Sequence, residues 1–120
     1  MSRSAAILLG EIIGAIDRIQ SYLAEMGFEA FAVDVEKQDA VFRRLEIIGE
    51  AVKGLPQDLR ERYPDTPWRD IAGARDVLVH EYFRVDLELA WEMIADDLPQ
   101  LKADIAEILH RERLSDRDAR

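Results

Sequence analysis

The stretch LGEIIGAIDRIQSYLAEM, residues 9–26, decides the fold class. Its large apolar residues recur at steps of three and four, at Leu9, Ile12, Ile16, Ile19, Leu23 and Met26. This spacing places them on one face of an α-helix and leaves most polar residues for the other face. Ser4 is predicted to cap the N-terminus of this helix, and Gly27 is predicted to end it. The stretch therefore predicts a long amphipathic helix that buries its apolar side against other elements.

The same helical spacing continues into the middle of the chain. A second stripe predicts a helix that begins near Asp34 or Asp39 and ends at Gly54. Its apolar members are Val41, Leu45, Ile48, Val52 and Leu55. One short helical turn is predicted within residues 56–63, because prolines interrupt the chain soon afterwards.

The second half of the chain begins with a signal for a helix start. Thr66 is predicted as the N-cap of a third helix, and Pro67 as its first residue. A fourth helix is predicted from Asp86, and Pro99 either kinks it or begins a fifth helix at its first turn. The charged tail at about 111–120 is predicted to fray. No segment alternates as a strand does, so the sequence predicts an all-α, up-and-down bundle of four or five helices.

Composition limits the kind of protein and the kind of site. A chain of 120 residues, 48% of them hydrophobic, fits a single domain over residues 1–120. It has no Cys and two His, which excludes a thiolate zinc site and a cysteine nucleophile and argues against a histidine-rich metal site. The Glu-x-x-His spacing of a di-metal bundle occurs once, at Glu107 and His110, where two copies are needed. No apolar run approaches the roughly 20 residues that span a membrane, and no signal segment opens the chain, so we expect no membrane association and a cytoplasmic location.

The net charge of −9 argues mildly against a protein that coats nucleic acids. The basic residues are 13 Arg and three Lys, and Arg is the better residue for bidentate contact with phosphate. Residues 60–84 hold five Arg and five acidic residues, so this segment is neutral and the whole excess of acid lies outside it. The acidity therefore limits where a nucleic acid can bind without excluding one.

The candidate catalytic residues lie in an apolar segment within these neutral residues. Asp76 and His80 are four residues apart and share a helix face, where the carboxylate can fix the imidazole tautomer. Arg75 and His80 differ by five residues, or about 140° around the helix axis. Either the helix ends near His80 and turns the ring back, or a second protomer supplies the opposite group.

The pattern Arg75-x4-His80-x-Tyr82 resembles the signature of the HepT-like toxins, a family of the HEPN superfamily. The pattern of that superfamily prefers Asn, Asp or His after the Arg, and Asp76 satisfies it. Three flanking blocks resemble the family in the same order, at residues 39–51, 67–73 and 91–102. The resemblance extends over most of residues 5–110, and because these blocks and the motif come in the order of the family, it is far more specific than the short motif alone.

The resemblance implies an all-helical homodimer that places two copies of the motif around one cleft. It implies a metal-independent endoribonuclease that needs no cofactor of its own and serves as the toxin of a type VII-like toxin–antitoxin pair. It further implies a cognate antitoxin, a nucleotidyltransferase of the MntA kind, which uses ATP to transfer AMP to the motif tyrosine, here Tyr82. The identity of the RNA target does not follow from it.

The residue types fit cleavage of RNA by its own 2′-hydroxyl group. His80 suits proton transfer near neutral pH, and Arg75 suits the charge that develops on the phosphate. Each chain carries one motif histidine, so a separate base and acid require two chains. Tyr82 could contact phosphate or stack on a base.

Structural interpretations stay open beside the catalytic one. His80 could be a partly buried structural group, Arg75 could form an ordinary surface pair, and Tyr82 could anchor a helix end. Arg43 and Arg44 could widen the phosphate-binding surface, although a solvated face is the simpler interpretation. The rival function is a non-catalytic docking or substrate-binding subunit for a nucleotidyltransferase, whose basic face an acidic surface would suit.

Overall fold

The computed structural model describes residues 1–73 and 87–118, and their regular secondary structure is entirely helical. The helices are α1 (Arg3–Tyr22), α2 (Phe28–Val33), α3 (Val35–Gly54), α4 (Gln57–Arg62), α5 (described over 68–73), α6 (Leu87–Glu92) and α7 (Leu98–Asp118), with a π-helical turn over Met93–Asp97 between the last two. The predicted all-α class is confirmed. The short helices α2 and α4 lie between the long ones.

Helix α1 is the central element of the core, as its stripe predicts. Leu9, Ile12, Ile16 and Ile19 are fully buried, and α1 packs against both α3 and α7. Its cap is Ser2, whose Oγ accepts a hydrogen bond from the backbone N–H of Ala5 at 3.1 Å, so the prediction of Ser4 is two residues late. The helix ends at Tyr22, and Gly27 instead precedes α2 as its N-cap. The prediction of Gly27 as the stop of the first helix is therefore wrong.

Helix α3 matches its prediction closely. Asp34 is its N-cap, and Oδ1 of Asp34 accepts a hydrogen bond from the backbone N–H of Lys37 at 3.0 Å. The predicted stripe is buried in full and packs on α1. The predicted turn within residues 56–63 is α4, which begins directly after Pro56.

Pro99 lies inside a helical run that continues from residue 87 to residue 118. Proline lacks an N–H group, and its ring clashes with the carbonyl group four residues earlier in a regular α-helix. The turn immediately before Pro99 is π-helical, and the N–H of Leu98 donates to the carbonyl of Met93, five residues back. Both alternatives describe part of the structure, since the helical run is continuous through a π-helical turn and Pro99 lies in the first turn of α7, which begins at Leu98.

The charged C-terminal segment, which the sequence predicts to fray from about residue 111, lies in α7 as far as Asp118. Glu112 is buried and accepts hydrogen bonds from Arg62 and from Oη of Tyr63, the latter at 2.9 Å. The N-terminal ammonium group of Met1 pairs with Asp116 at 2.6 Å. These polar contacts fasten the segment to α4 and to the start of the chain.

Candidate functional site

The predicted site residues Arg75, Asp76, His80 and Tyr82 lie outside the described residues. The structure therefore shows how their two flanks are fixed, and the predicted roles of the four residues stay predictions. One flank is the start of α5 at residues 68–73, and the other is α6.

The flank before the motif is fastened to the end of α4 by a proline-bounded turn. The indole Nε1 of Trp68 donates to the carbonyl of Tyr63 at 3.0 Å, and the Trp68 ring is buried. The N–H of Ile71 donates to the carbonyl of Pro67 at 3.1 Å, which begins the helical pattern. The helix starts at residue 68, one residue later than the prediction that took Thr66 as N-cap. The described residues directly before the motif are thus held against the end of α4.

The flank after the motif is held by a cluster of aromatic rings. Trp91 on α6 lies 5.4 Å from Phe31 and 6.1 Å from Phe28, measured between ring centroids, and both partners belong to α2. Phe31 also meets Phe42 of α3 edge to face at 6.4 Å. Such contacts stabilise a fold beyond the area that they bury. The short helix α2, which the sequence pattern does not predict, therefore helps to position the helix that follows the motif.

An open groove of about 530 Å³ runs along the flank before the motif. We call it the basic groove, and its lining residues are Lys53, Gln57, Arg60, Glu61, Trp68, Arg69, Ala72 and Gly73. Three of these side chains are cationic and one is a carboxylate. That carboxylate, Glu61, accepts a hydrogen bond from Nε2 of Gln57 at 2.9 Å. The groove reaches Gly73, two residues before Arg75.

Sequence reasoning did not find the basic groove. Arg60 and Arg69 contribute to the neutral segment noted above, but no local pattern joins them to Lys53. The three residues lie on three different helices, so the fold alone brings them together. The weak signal in the sequence was the preference for Arg in residues 60–84.

A second cavity of about 510 Å³ has the opposite character. Its floor is apolar, with Leu45, Ile48, Ile71, Met93, Leu98 and Leu101, and four carboxylates line it, namely Asp70, Asp96, Asp97 and Asp104. We call it the acidic cleft. Among the residues that the structure describes, no three His, Asp or Glu side chains are grouped so as to hold a metal ion. Carboxylates repel phosphate groups, so the acidic cleft is unsuited to a nucleic-acid strand.

Of the other residues singled out in the sequence, Arg43 and His110 lie on the surface, whereas Arg44 is half-buried. Arg43 is exposed and pairs with Glu46 one turn along α3, at 3.3 Å, in agreement with a solvated face. The second histidine, His110, is exposed on α7. Over the described ranges, none of the helices has the length and apolar character that crossing a membrane requires.

Comparison with known proteins gives a consistent result. The family described as ribonuclease HepT-like matches residues 12–108. A protein of Thermococcus cleftensis named "Probable ribonuclease HepT" is 44% identical over 102 residues, which cover 85% of this chain and 93% of that protein. A protein of Caldanaerobacter subterraneus subsp. tengcongensis, named as a candidate RNase, is 42% identical over 106 residues, or 88% of this chain and 91% of the relative.

A longer relative comes from Methanocaldococcus jannaschii. Its name combines a gamma-glutamylcyclotransferase with a candidate RNase, and it is 42% identical over 109 residues. The match covers 91% of this chain but spans only 49% of that protein, about half of its length. No solved structure matches the chain.

Proposed function

Because the chain belongs to the ribonuclease HepT-like family, we propose that it is the endoribonuclease toxin of a toxin–antitoxin pair. The resemblance that the sequence indicates is confirmed, and the names of the relatives support a ribonuclease. The observation that carries the proposal is the extent of the family match, residues 12–108, which includes the whole motif from Arg75 to Tyr82. An RNA substrate is consistent with a cytoplasmic location.

The proposed reaction uses the 2′-hydroxyl group of the RNA as the nucleophile. A base removes its proton, the 2′ oxygen attacks the adjacent phosphorus, and the bond from phosphorus to the 5′ oxygen breaks. An acid donates a proton to the leaving 5′ oxygen, so the products are a 2′,3′-cyclic phosphate and a 5′-hydroxyl end. His80 suits both proton transfers, and the fixed N–H groups of Arg75 suit the charge that develops on the phosphate. This route requires no metal ion.

The reaction gives a physical reason for a homodimer. One histidine cannot be deprotonated to act as base and protonated to act as acid in the same step. With one motif histidine in each chain, two chains supply the pair, and Asp76 of each chain would hold its own His80 in one tautomer. Arg75 and His80 also point about 140° apart on a straight helix, which a second chain would compensate.

The proposed partner is a nucleotidyltransferase antitoxin that transfers AMP from ATP to Oη of Tyr82. A bond forms between the tyrosine oxygen and the α-phosphorus, pyrophosphate leaves, and the phenol proton goes to solvent. The product carries a negative phosphate group where the RNA backbone must lie, so repulsion and bulk both oppose binding of the substrate. Tyr82 lies two positions after His80, which places the modification close to the proposed catalytic group in sequence.

The nuclease proposal is tested by incubating RNA with EDTA and protein purified without the partner. We expect the wild type to cleave the RNA. His80→Ala and Arg75→Ala should each lower the cleavage rate at least about a hundredfold, because each removes one acid–base or charge-stabilising group. The matched control is His110→Ala, because His110 is the other histidine of the sequence and is exposed on α7. This variant should cleave RNA as the wild type does. Equal and negligible cleavage by wild type and His80→Ala would overturn the nuclease proposal and leave the docking-subunit alternative.

The modification is tested by intact mass after incubation with the partner and ATP. One or more AMP units should be added to wild type, and none to Tyr82→Phe. Tyr22→Phe and Tyr63→Phe are matched controls that keep the motif tyrosine and should be modified as wild type is. Modification that persists in Tyr82→Phe contradicts the proposed switch.

A further inference from the structure

The basic groove concentrates positive charge on a chain whose net charge is −9. Three cations and one carboxylate line it, whereas four carboxylates line the acidic cleft. An anionic polymer that meets this protein is therefore attracted to one groove and repelled by the other. The volume of about 530 Å³ lies in the range of cavities that bind ligands the size of a nucleotide.

The two arginines of α4 have different environments. Arg62 forms ion pairs with Asp58 at 3.0 Å and with Glu112, so carboxylates of the protein itself neutralise its charge. Arg60 is half-buried in the wall of the basic groove, and its Nε is buried with no hydrogen-bond partner. Among the residues that the structure describes, no carboxylate neutralises Arg60. Its planar set of N–H donors matches the oxygens of a phosphate group.

Arg69 provides a second cation at a fixed place in the groove. It is exposed in the first turn of α5, next to Trp68, whose hydrogen bond to Tyr63 fixes the backbone there. Residues 69 and 73 are four apart and share a helix face. Gly73 has no side chain to obstruct this face, and a Cβ added there would meet no atom within 4 Å. The path along α5 from Arg69 towards the motif is therefore open over the described residues.

From these observations we propose that the basic groove binds the phosphate backbone of the single-stranded RNA next to the cleaved bond. Arg60 and Arg69 contact successive phosphates, and the strand passes Gly73 to reach the motif that begins at Arg75. This inference rests on the proposed function, and it adds a substrate-positioning site that contains none of the motif residues. Because the groove reads charge rather than base edges, it binds RNA without preference for sequence.

The test measures binding separately from cleavage, with a fluorescent single-stranded DNA as probe. The probe has the phosphates of RNA but lacks the 2′-hydroxyl group, so the proposed reaction cannot cut it. Anisotropy titrations at several salt concentrations give the Kd and its salt dependence. For Arg60→Gln/Arg69→Gln we expect a Kd about tenfold higher at low salt, and a slope of log K against log salt smaller by about 1.4, since each contact with a single strand contributes about 0.7.

Matched variants distinguish the effect of the groove on binding from the effects of total charge and of catalysis. Arg43→Gln/Arg113→Gln removes the same two charges from exposed positions outside the groove and should leave the slope unchanged. Arg60→Lys/Arg69→Lys keeps the charge and should retain most of the slope. His80→Ala should keep the wild-type Kd for the probe while it loses cleavage of RNA. Thermal melting of each variant shows that it is folded.

The outcomes distinguish the two proposals. Loss of probe binding in the groove variant supports the groove, even if wild type cuts no RNA and the nuclease proposal fails. If wild type cuts RNA but the groove variant keeps the wild-type Kd and slope, the groove proposal is overturned and the nuclease stands. A poly-glutamate peptide that displaces the probe as effectively as unlabelled DNA of equal charge would also overturn it, since the groove would then be a docking surface for acidic proteins.

Discussion

Glu112 connects the C-terminal part of α7 to α4, and its replacement by alanine measures how much this connection stabilises the fold. The side chain is 8% exposed and accepts hydrogen bonds from Oη of Tyr63 at 2.9 Å and from the guanidinium group of Arg62. A hydrogen bond to a charged group contributes about 1.5–3 kcal/mol. The Arg62 contact counts for less, about 1 kcal/mol at most, because that side chain is 45% exposed and keeps its pairing with Asp58. We therefore expect Glu112→Ala to lower the free energy of unfolding by about 2–3 kcal/mol.

Urea denaturation at a fixed protein concentration measures this loss directly. At about 4 °C per kcal/mol for a chain of this size, the melting temperature should fall by about 8–12 °C. The matched control is Glu107→Ala on the same helix, which removes an exposed carboxylate that pairs with Arg111 at 2.8 Å and should cost about 0.5 kcal/mol or less. A double-mutant cycle that combines Glu112→Ala with Tyr63→Phe should give an interaction free energy of about 1 kcal/mol between Tyr63 and Glu112. If Glu112→Ala costs no more than the control, the buried contacts do not hold this end of α7.

Two further predictions concern the tyrosines and a helix cap. The pKa of Tyr63 is raised from its ordinary value of 10.0 by burial and by its hydrogen bond to Glu112, and the pKa of Tyr22 is lowered by a hydrogen bond with Arg44. Ultraviolet titration should show Tyr22 ionising below pH 10.0 and Tyr63 above it, and the Phe variant of each tyrosine checks the assignment. Because the pKa of Tyr63 is raised in the folded state, its contribution to stability is complete below the pKa of the unfolded state. That contribution is lost as the pH rises through the pKa of the folded state. Asp34→Ala removes the N-cap of α3 and should cost about 1 kcal/mol in urea denaturation, whereas Asp34→Asn, which keeps an acceptor oxygen, should cost much less.

The long helices could be predicted from the sequence because their apolar residues must face one core. The stripes of α1 and α3 have the period of a helix, and the structure buries both. Helix ends are different, since they depend on the backbone conformation of single residues. Ser2 and Ser4 both have a capping hydroxyl, and only Ser2 has the extended backbone that lets its Oγ reach the N–H of Ala5. Gly27 likewise precedes a helix rather than following one, which its residue type alone does not decide.

The C-terminal segment shows where local composition fails. Residues 111–118 are rich in charge and poor in apolar side chains, which is typical of a fraying end. Partners about 50 positions earlier, Arg62 and Tyr63, come to Glu112 only when the bundle forms. The basic groove depends on the fold in the same way, since its cations come from three helices. The motif itself could be found because its residues lie within the eight positions 75–82 and resemble a known family.

The charge of the protein and the basic groove together set how firmly RNA can be held. Most of a nucleic-acid affinity comes from contacts to phosphates, and the basic groove offers three cations on a chain whose net charge is −9. Under the proposed function, an acidic chain with the basic groove in its described part is therefore expected to bind RNA through few phosphates, with modest affinity and a modest dependence on salt. Under the proposed function, such weak binding makes inhibition easier, because the phosphodiester of one AMP on Tyr82 adds a negative charge that opposes phosphate binding, and the lining of the groove has an excess of only two positive charges. A strongly basic nuclease would need a larger inhibitor, whereas this protein could be controlled by a single nucleotide.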